Sequence, residues 1–371
     1  MADAGTRAGP TVLPPAAAPH LRVNMSASRM AWLASLSLLP AAAWGIVLFG
    51  LPALFVLAVS VAASAAAELA ATLPARRYTL GDGSAFFTGL LVALLMPAGV
   101  PLYVPAAASA FGILVVKQSF GGLGRNWMNP AMGGVLFALL SWPGLLSRWV
   151  APLGSTSPNA AMPPLEALRA ALAATGPKDA TPLAVLSRAG YAFSDLDSNV
   201  LGWINSHLFA PLGMGLRPGT LDVLIGHVAG GIGSTCAPLL LAGAALLLTL
   251  GVIRWHLPVF YIGTFGLLAL VFGGLGTGQG WLAGGPLFQV FSGNLVLVAF
   301  YAAPDPVTSP LTNAGKCLLG VGLGVLTFFL RFFGSLGDGA AAAIVLGNCI
   351  SPLLDRWMER RKVEGFDREA A

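Results

Sequence analysis

Glu68 is the only carboxylate well inside an apolar stretch of the chain, and it follows three small residues, Ala65-Ala66-Ala67. A carboxylate at membrane depth costs about 2.5–3.5 kcal/mol on insertion scales, so it is read first as functional, here as a step on an ion path. Arg76 and Arg77 come eight and nine residues later. That is about 12 Å along a continuing helix, too far for a simple pair within one helix. An acid standing near the membrane surface is the plainer alternative. A second candidate is the hydroxyl of Thr181, in the sequence Ala180-Thr-Pro-Leu183. Thr-Pro is a helix-start signal in its own right, with Thr as cap and Pro in the first turn. Three further segments are broken by Gly or Pro: Phe120-Gly-Gly-Leu-Gly-Arg-Asn-Trp-Met-Asn-Pro-Ala131, Gly226-His-Val-Ala-Gly-Gly-Ile-Gly-Ser-Thr235 and Ala303-Pro-Asp-Pro-Val-Thr-Ser-Pro-Leu-Thr-Asn313. Irregular backbone survives at membrane depth only where protein or a cavity satisfies it, and such segments bring N–H groups and Asn, Thr and Asp side chains to a ligand. Ordinary loops between spans account for them equally well.

Other chemistries find little support. Cys236, Cys317 and Cys349 are far apart and lack C-x-x-C spacing, and the four histidines are scattered, which argues against an iron–sulfur, haem or zinc site within this chain. Gly-Gly-Ile-Gly has neither the spacing nor the preceding strand of a dinucleotide fingerprint.

The elements that must position these residues are membrane helices. Of 371 residues, 56% are hydrophobic and 9% charged, with mean hydropathy +0.79; a soluble domain carries roughly a quarter charged residues. The sequence pI of 9.4 does not indicate nucleic acid, because the basic residues flank apolar runs and form no stripe. The pattern predicts an all-α membrane protein with ten spans, near 32–50, 51–72, 84–100, 101–119, 127–146, 228–253, 258–275, 285–303, 316–333 and 339–355. Residues 1–31 read as a disordered tail, 32–146 as a first five-helix half, 147–222 as a long loop, 223–355 as a second half and 356–371 as a basic tail.

Lys and Arg set the orientation. With the N-terminus inside, the cytoplasmic segments collect Arg7, Arg22, Arg29, Arg76, Arg77, Lys117, Arg125, Arg254, Lys316 and the basic tail, and the other side holds Arg148, Arg331 and the long-loop cations. Both termini are then cytoplasmic and Thr181 lies outside. Phe120-Gly-Gly-Leu-Gly124 and Phe333-Gly-Ser-Leu-Gly337 sit five spans apart, as an inverted repeat requires; chance similarity in glycine-rich apolar sequence is the alternative.

Four blocks occur in order: Phe120-Gly-Gly-Leu-Gly…Asn129-Pro-Ala, Ala180-Thr-Pro-Leu183, Arg254-Trp-His-Leu-Pro258 and Asp305-Pro-Val-Thr-Ser-Pro-Leu-Thr-Asn313. Over about residues 30–362 the chain resembles the D subunits of the Rnf complex, the ion-translocating ferredoxin:NAD oxidoreductase, and more distantly the B subunits of the sodium-pumping NADH:quinone oxidoreductase. The resemblance implies two inverted five-helix halves, like the urea-transporter fold, in a bacterial inner membrane. It implies FMN attached through a phosphoester to the threonine matching Thr181, in a periplasmic loop. A helix start after Thr181 would aim N–H groups at that phosphate. It also implies riboflavin held without a covalent link, with Asn129 and Asp305 at matching positions. An Asn amide offers the donor and acceptor that a flavin's uracil-like edge needs; a helix cap for Asn129 and an interfacial acid near Lys316 for Asp305 are the plainer roles. Relatives carry an acid near Glu68 linked to cation uptake, and Asp305 is the partner acid if the halves meet at the midplane. Two departures stand out: Lys178-Asp179 where relatives have a small residue and Gly, and Ser234 where relatives often have Glu.

The implied function is an electron-transfer subunit that works with a periplasmic FMN subunit and cytoplasmic iron–sulfur and NADH-binding subunits, and that helps couple the redox chemistry to Na⁺ or H⁺ movement. A passive channel or solute transporter of the same architecture is the alternative, and it leaves Ala-Thr-Pro-Leu in an outer loop without a purpose.

Overall fold

Apolar runs punctuated by Gly and Pro give the computed structural model an all-helical build. It describes residues 25–370 except 75, 77, 154, 156–160, 176–179, 192, 210–214, 234–235, 276 and 335. No strand forms among the described residues, and a single antiparallel bridge joins Pro97 to Gly231. Helix α1 (Ala27–Phe49) begins at Ser26, whose hydroxyl accepts from Arg29 N at 3.2 Å, so the helix starts inside the expected tail; residues 1–24 lie outside the described part. Gly50, at φ 70°, turns the chain into α2 (Leu51–Thr72). There follow α3 (Ser84–Leu94), α4 (Tyr103–Phe111), which runs on as a π turn over Gly112–Lys117, α5 (Pro130–Ser141) and the single turn α6 (Pro143–Leu146).

The long interruption is not an extended loop. It folds into α7 (Pro164–Thr175), α8 (Pro182–Arg188), α9 (Asp195–Ile204) and α10 (Thr220–Ile225). Leu168, Leu186, Tyr191, Val223 and Phe288 form a core shared by α7, α8 and α10. The chain re-enters the main body through α11 (Ala237–Thr249) and α12 (His256–Phe272). Next come α13 (Pro286–Phe291) and α14 (Leu295–Leu297), which continues as a second π turn over Val298–Ala302. The chain ends with α15 (Asn313–Phe333) and α16 (Ala340–Ala370), which continues as helix through the expected basic tail.

Among the described residues three helices, α1, α2 and α15, are long and apolar enough to cross a membrane. Several expected spans are shorter or broken. The 84–100 stretch stops being helical at Leu94, ahead of Pro97 and Pro101, and the 285–303 stretch breaks at Ser292-Gly293-Asn294, where Gly293 takes φ 84°. The first break is matched by another. Ile232 N donates to Met96 O at 3.0 Å and Gly233 N to Leu94 O at 2.9 Å. The broken backbone after α3 therefore bonds the broken backbone before α11, and each supplies polar partners the other lacks.

Small residues bring the helices close. A Cβ on Gly320 or Gly324 would lie 2.8 Å from Leu257 O or 2.9 Å from Tyr261 O, so α15 lies directly on the α12 backbone, in the small-x-x-x-small manner. At the α1–α11 crossing a Cβ on Gly243 would stand 2.3 Å from Tyr301 Oη and 2.5 Å from Ser37 O.

The two ends of the body are distinct. Trp32 Nε1 donates to Gly81 O, Arg254 Nη1 to Asn313 Oδ1 and Leu311 N to Asp355 Oδ1 at one end. At the other, Leu153 N donates to Leu48 O and Trp44 Nε1 to Ile225 O, beside α7–α10. The start of α1 and Asp355 of α16 thus lie opposite the α7–α10 layer. Two cations read from sequence as surface topology signals, Lys117 and Arg331, are each 1% exposed. Arg331 is enclosed because Gln289 O and Asp338 O accept from its guanidinium and Phe265 lies beneath it, 4.6 Å from the ring centroid.

Gly243→Val forces a branched side chain into a backbone contact, and overpacking of this kind costs about 1–3 kcal/mol. The variant is expected to lose its monodisperse detergent-solubilised peak at lower temperature than wild type. Gly322→Ala, with open space around the added methyl, is expected to keep it. Equal heat tolerance of Gly243→Val and wild type would contradict the packing described.

Candidate functional site

Glu68 is fully buried on α2. Among the described residues its ion-pair partner is not Arg76 but Lys117, 49 positions away at the end of the π turn, with Nζ 2.9 Å from Glu68 Oε1, while Arg77 lies outside the described residues. Thr79 donates to the same oxygen. Lys117 also donates to Ser84 Oγ at 2.6 Å, and that hydroxyl donates to Asp82 Oδ1 at 2.5 Å. Glu68 Oε2 has no hydrogen-bond partner. Sequence reasoning missed this pair because a lysine closing the apolar run Gly112-Ile-Leu-Val-Val-Lys117 reads as a surface anchor. The π turn that swings it inward has no signature in residue types.

Asn129 caps α5: its Oδ1 accepts from Ala131 N at 3.0 Å and Met132 N at 3.2 Å. Its Nδ2 donates to Asp305 Oδ2 at 3.2 Å and Ala302 O at 3.4 Å. The cap role and the meeting of Asn129 with Asp305 are therefore both present, in one amide whose donor and acceptor are engaged. Asp305 Oδ1 accepts from Val307 N at 3.1 Å, just after the second π turn. The Asn129–Asp305 pair and Lys117 line one cavity of about 120 Å³, walled otherwise by apolar residues of α1 such as Met30 and Ala34 and by Phe87, Phe300 and Tyr301. A cavity of about 150 Å³ holds a benzene, so this one takes waters or an ion but not a three-ring flavin as it stands.

Thr181 lies at the other end. It holds the N-cap position of α8, at φ −63° and ψ 157°, with Pro182 in the first turn, but its hydroxyl makes no cap bond. Thr181 Oγ1 is buried without any hydrogen-bond partner. It borders a cavity of about 450 Å³ lined by Leu183, Leu201, Leu221, Phe288 and Phe291, with Arg217 at the edge. One wall is α10, held in place by carboxylates. Asp197 accepts from Gly219 N at 2.6 Å, Leu221 N at 2.9 Å and Asp222 N at 3.2 Å. Asp222 accepts from Ser194 N at 2.6 Å and Ser194 Oγ at 2.5 Å. Burial pushes the Asp222 carboxyl above the usual carboxylate range, and the two Ser194 bonds partly offset this. Neither Asp197 nor Asp222 stood out in the sequence, since short acids in a polar stretch read as solvated. Lys178, Asp179 and Ser234 lie outside the described residues.

The unpartnered Thr181 hydroxyl and the large apolar cavity fit an esterified flavin. The smaller cavity, with its engaged amide, does not fit a second one without rearrangement.

Comparison with known proteins bears out the family resemblance. The model of the NQR2, RnfD, RnfE family matches residues 15–364. The chain is 33% identical over 342 residues to the D subunit of the proton-translocating ferredoxin:NAD(+) oxidoreductase complex of Clostridium ljungdahlii, covering 92% of this chain and 93% of that protein. It is 34% identical to the D subunit of the ion-translocating oxidoreductase complex of Stutzerimonas stutzeri, covering 90% and 91%. It is 33% identical to the D subunit of the Na(+)-translocating ferredoxin:NAD(+) oxidoreductase complex of Acetobacterium woodii, covering 92% of both. With relatives aligned along nearly its whole length, and the family match spanning α1 to α16, the chain belongs to the NQR2, RnfD, RnfE family.

Proposed function

We propose that the chain is the flavin-carrying membrane subunit of an ion-translocating ferredoxin:NAD⁺ oxidoreductase complex. The relatives' names supply the complex. The observation that carries the flavin is the Thr181 hydroxyl, buried and unbonded, on a residue that lines a cavity of about 450 Å³. An ester of Thr181 Oγ1 with the FMN phosphate uses the one hydroxyl there with no other role. Bound FMN supplies electron transfer, and the protein supplies its position and surroundings. Thr181 fixes the attachment point at the head of α8. Leu201, Leu221, Phe288 and Phe291 give the cavity an apolar lining, and Arg217, which also lines it, carries the planar donor group suited to phosphate oxygens. Asp197 holds the α10 wall in register. For riboflavin beside Asn129 and Asp305 the fit is poorer, and no step is assigned to it.

The ion path in this reading starts at Glu68 and continues to Asp305. Ten spans in two inverted halves, with cytoplasmic termini and a periplasmic α7–α10 layer, complete the reading. It is supported by the common end shared by the start of α1 and Asp355, opposite that layer. A periplasmic FMN subunit and cytoplasmic iron–sulfur and NADH-binding subunits are the expected partners, with Na⁺ or H⁺ as the ion moved.

Thr181→Ala is expected to abolish flavin fluorescence of the denatured band while the protein stays in the membrane, and Thr181→Ser, which keeps the hydroxyl, to retain it. A fluorescent Thr181→Ala band would move the attachment elsewhere. A reporter fused near Ser187 is expected to read periplasmic and one after Lys362 cytoplasmic; a cytoplasmic readout at Ser187 overturns the orientation. Glu68→Gln preserves shape, and is expected to leave flavin content unchanged while slowing coupled electron transfer and weakening its dependence on Na⁺ or pH. Wild-type ion dependence at unchanged flavin content would remove Glu68 from the path.

A further inference from the structure

Lys117 has two faces. One bonds Glu68 Oε1 and Ser84 Oγ; the other lines the cavity that Asp305 and Asn129 also line. Lys117 is therefore the only charged side chain shared by the buried acid of α2 and the cavity next to Asp305 among the described residues. A buried ion pair adds little stability over an apolar replacement, because desolvation cancels most of the attraction. A pair in this place is better explained by a switching role. Glu68 Oε2 is buried and unbonded, so the carboxylate holds its lysine through one oxygen and offers the other to nothing. A small cation fits a carboxylate oxygen with a free lone pair, and the Gln118 side chain, which also interacts with this carboxylate, stands beside it.

The local backbone is built for movement. Lys117 ends a π turn, a looser winding that concentrates at functional sites. Gly121, Gly122 and Gly124 follow at φ 105°, 94° and 89°, and Gly122 N bonds Lys117 O at 3.1 Å. The flexible four-carbon stem lets the ammonium leave one acid for another.

We propose that Lys117 is the resident counter-cation of Glu68, displaced by the transported cation and received by Asp305 across the cavity. This rests on the reading of Glu68 and Asp305 as path residues. When a monovalent cation, Na⁺ or a proton, occupies Glu68, the lysine is released into the cavity; when it returns, it expels the cation. Charge balances at each stage, since one cation replaces another on the Glu68 carboxylate. The charged groups facing Lys117 are Glu68 on α2, Asp82 through Ser84, and Asp305. The walls from α1, from α11 and from Val252 and Ile253 are apolar, and Tyr301 is the remaining titratable lining residue. Lys117 is a positioning residue, acting through Glu68.

The test measures turnover of the purified complex against Na⁺ at fixed pH and against pH at fixed Na⁺, with flavin content. Lys117→Gln leaves Glu68 without its competitor. The half-saturating Na⁺ is expected to fall at least tenfold if Na⁺ is the ion, or the pH limb of activity to move up by about a unit if it is the proton. Maximal turnover falls as well, because nothing expels the cation. Lys117→Arg retains a displaceable charge and keeps the wild-type half-saturation. The double variant Glu68→Gln, Lys117→Gln is expected to match Glu68→Gln alone. Asp305→Asn leaves the Lys117–Glu68 pair intact, and provides the test should Lys117→Gln not fold. With no acid to receive the ammonium, its half-saturating Na⁺ is expected to rise about tenfold, or its pH limb to move down. Wild-type ion and pH dependence in Lys117→Gln, or in Asp305→Asn, at normal flavin content overturns the exchange and leaves a structural ion pair. A wild-type complex with flavin but no ion dependence removes the path reading itself, a result distinguishable from either.

Discussion

Backbone polar groups removed from water must find partners within the protein, and this chain meets that constraint by bonding one break to another. The segment after α3 and the segment before α11 come from distant parts of the sequence, yet Met96 O and Leu94 O accept from Ile232 N and Gly233 N. An unpaired amide in apolar surroundings costs several kcal/mol, so neither break is stable without its counterpart. The pairing ties the first group of helices to the second. Leu95, Pro97, Gly230 and Gly231, in the irregular backbone at the join, line a cavity of about 200 Å³. The Asn129–Asp305 bond makes a second such tie nearer the end that bears the start of α1.

Each group of helices also buries one cation, by different means. Lys117 is held by a carboxylate and two hydroxyl-bearing neighbours, Ser84 directly and Thr79 through Glu68. Arg331 is held mainly by carbonyls, with Asp338 Oδ2 at 3.9 Å and the Phe265 ring beneath it. Its own carbonyl accepts from Arg169 of α7, which fastens the outer layer to the membrane body. A planar guanidinium that satisfies fixed carbonyls is a rivet; a lysine on a flexible stem between two acids is free to exchange. The side-chain chemistry separates a structural cation from a mobile one where burial alone does not.

The sequence made the class and the candidate residues legible to the extent that residue type decides the matter. In lipid only helices or closed barrels satisfy the backbone, continuous apolar runs of span length select helices, and Pro and Gly mark the breaks. Glu68 was visible because a lone acid in an alanine-rich span has no cheap explanation. Thr181 was visible as a helix start and through the family resemblance, though its hydroxyl turned out to be unbonded instead of capping. What was not legible depends on long-range geometry. Lys117 pairs 49 positions away, and Asp305 meets Asn129 across 176. The folding of residues 164–225 into short helices was hidden because Leu168, Leu186 and Val223 pack on each other and on Phe288, far along the chain.

The central claim is a covalent flavin at Thr181, and peptide mass spectrometry tests it most directly. Trypsin cuts after Lys178 and Arg188, releasing Asp179–Arg188, which contains Thr181 and Ser187 as its hydroxyl residues. This peptide from the native complex is expected to carry the mass of FMN less one water, with fragment ions placing it on Thr181. An unmodified peptide from a complex that retains its flavin after denaturation, or a modification mapped to Ser187 or to another peptide, would contradict it.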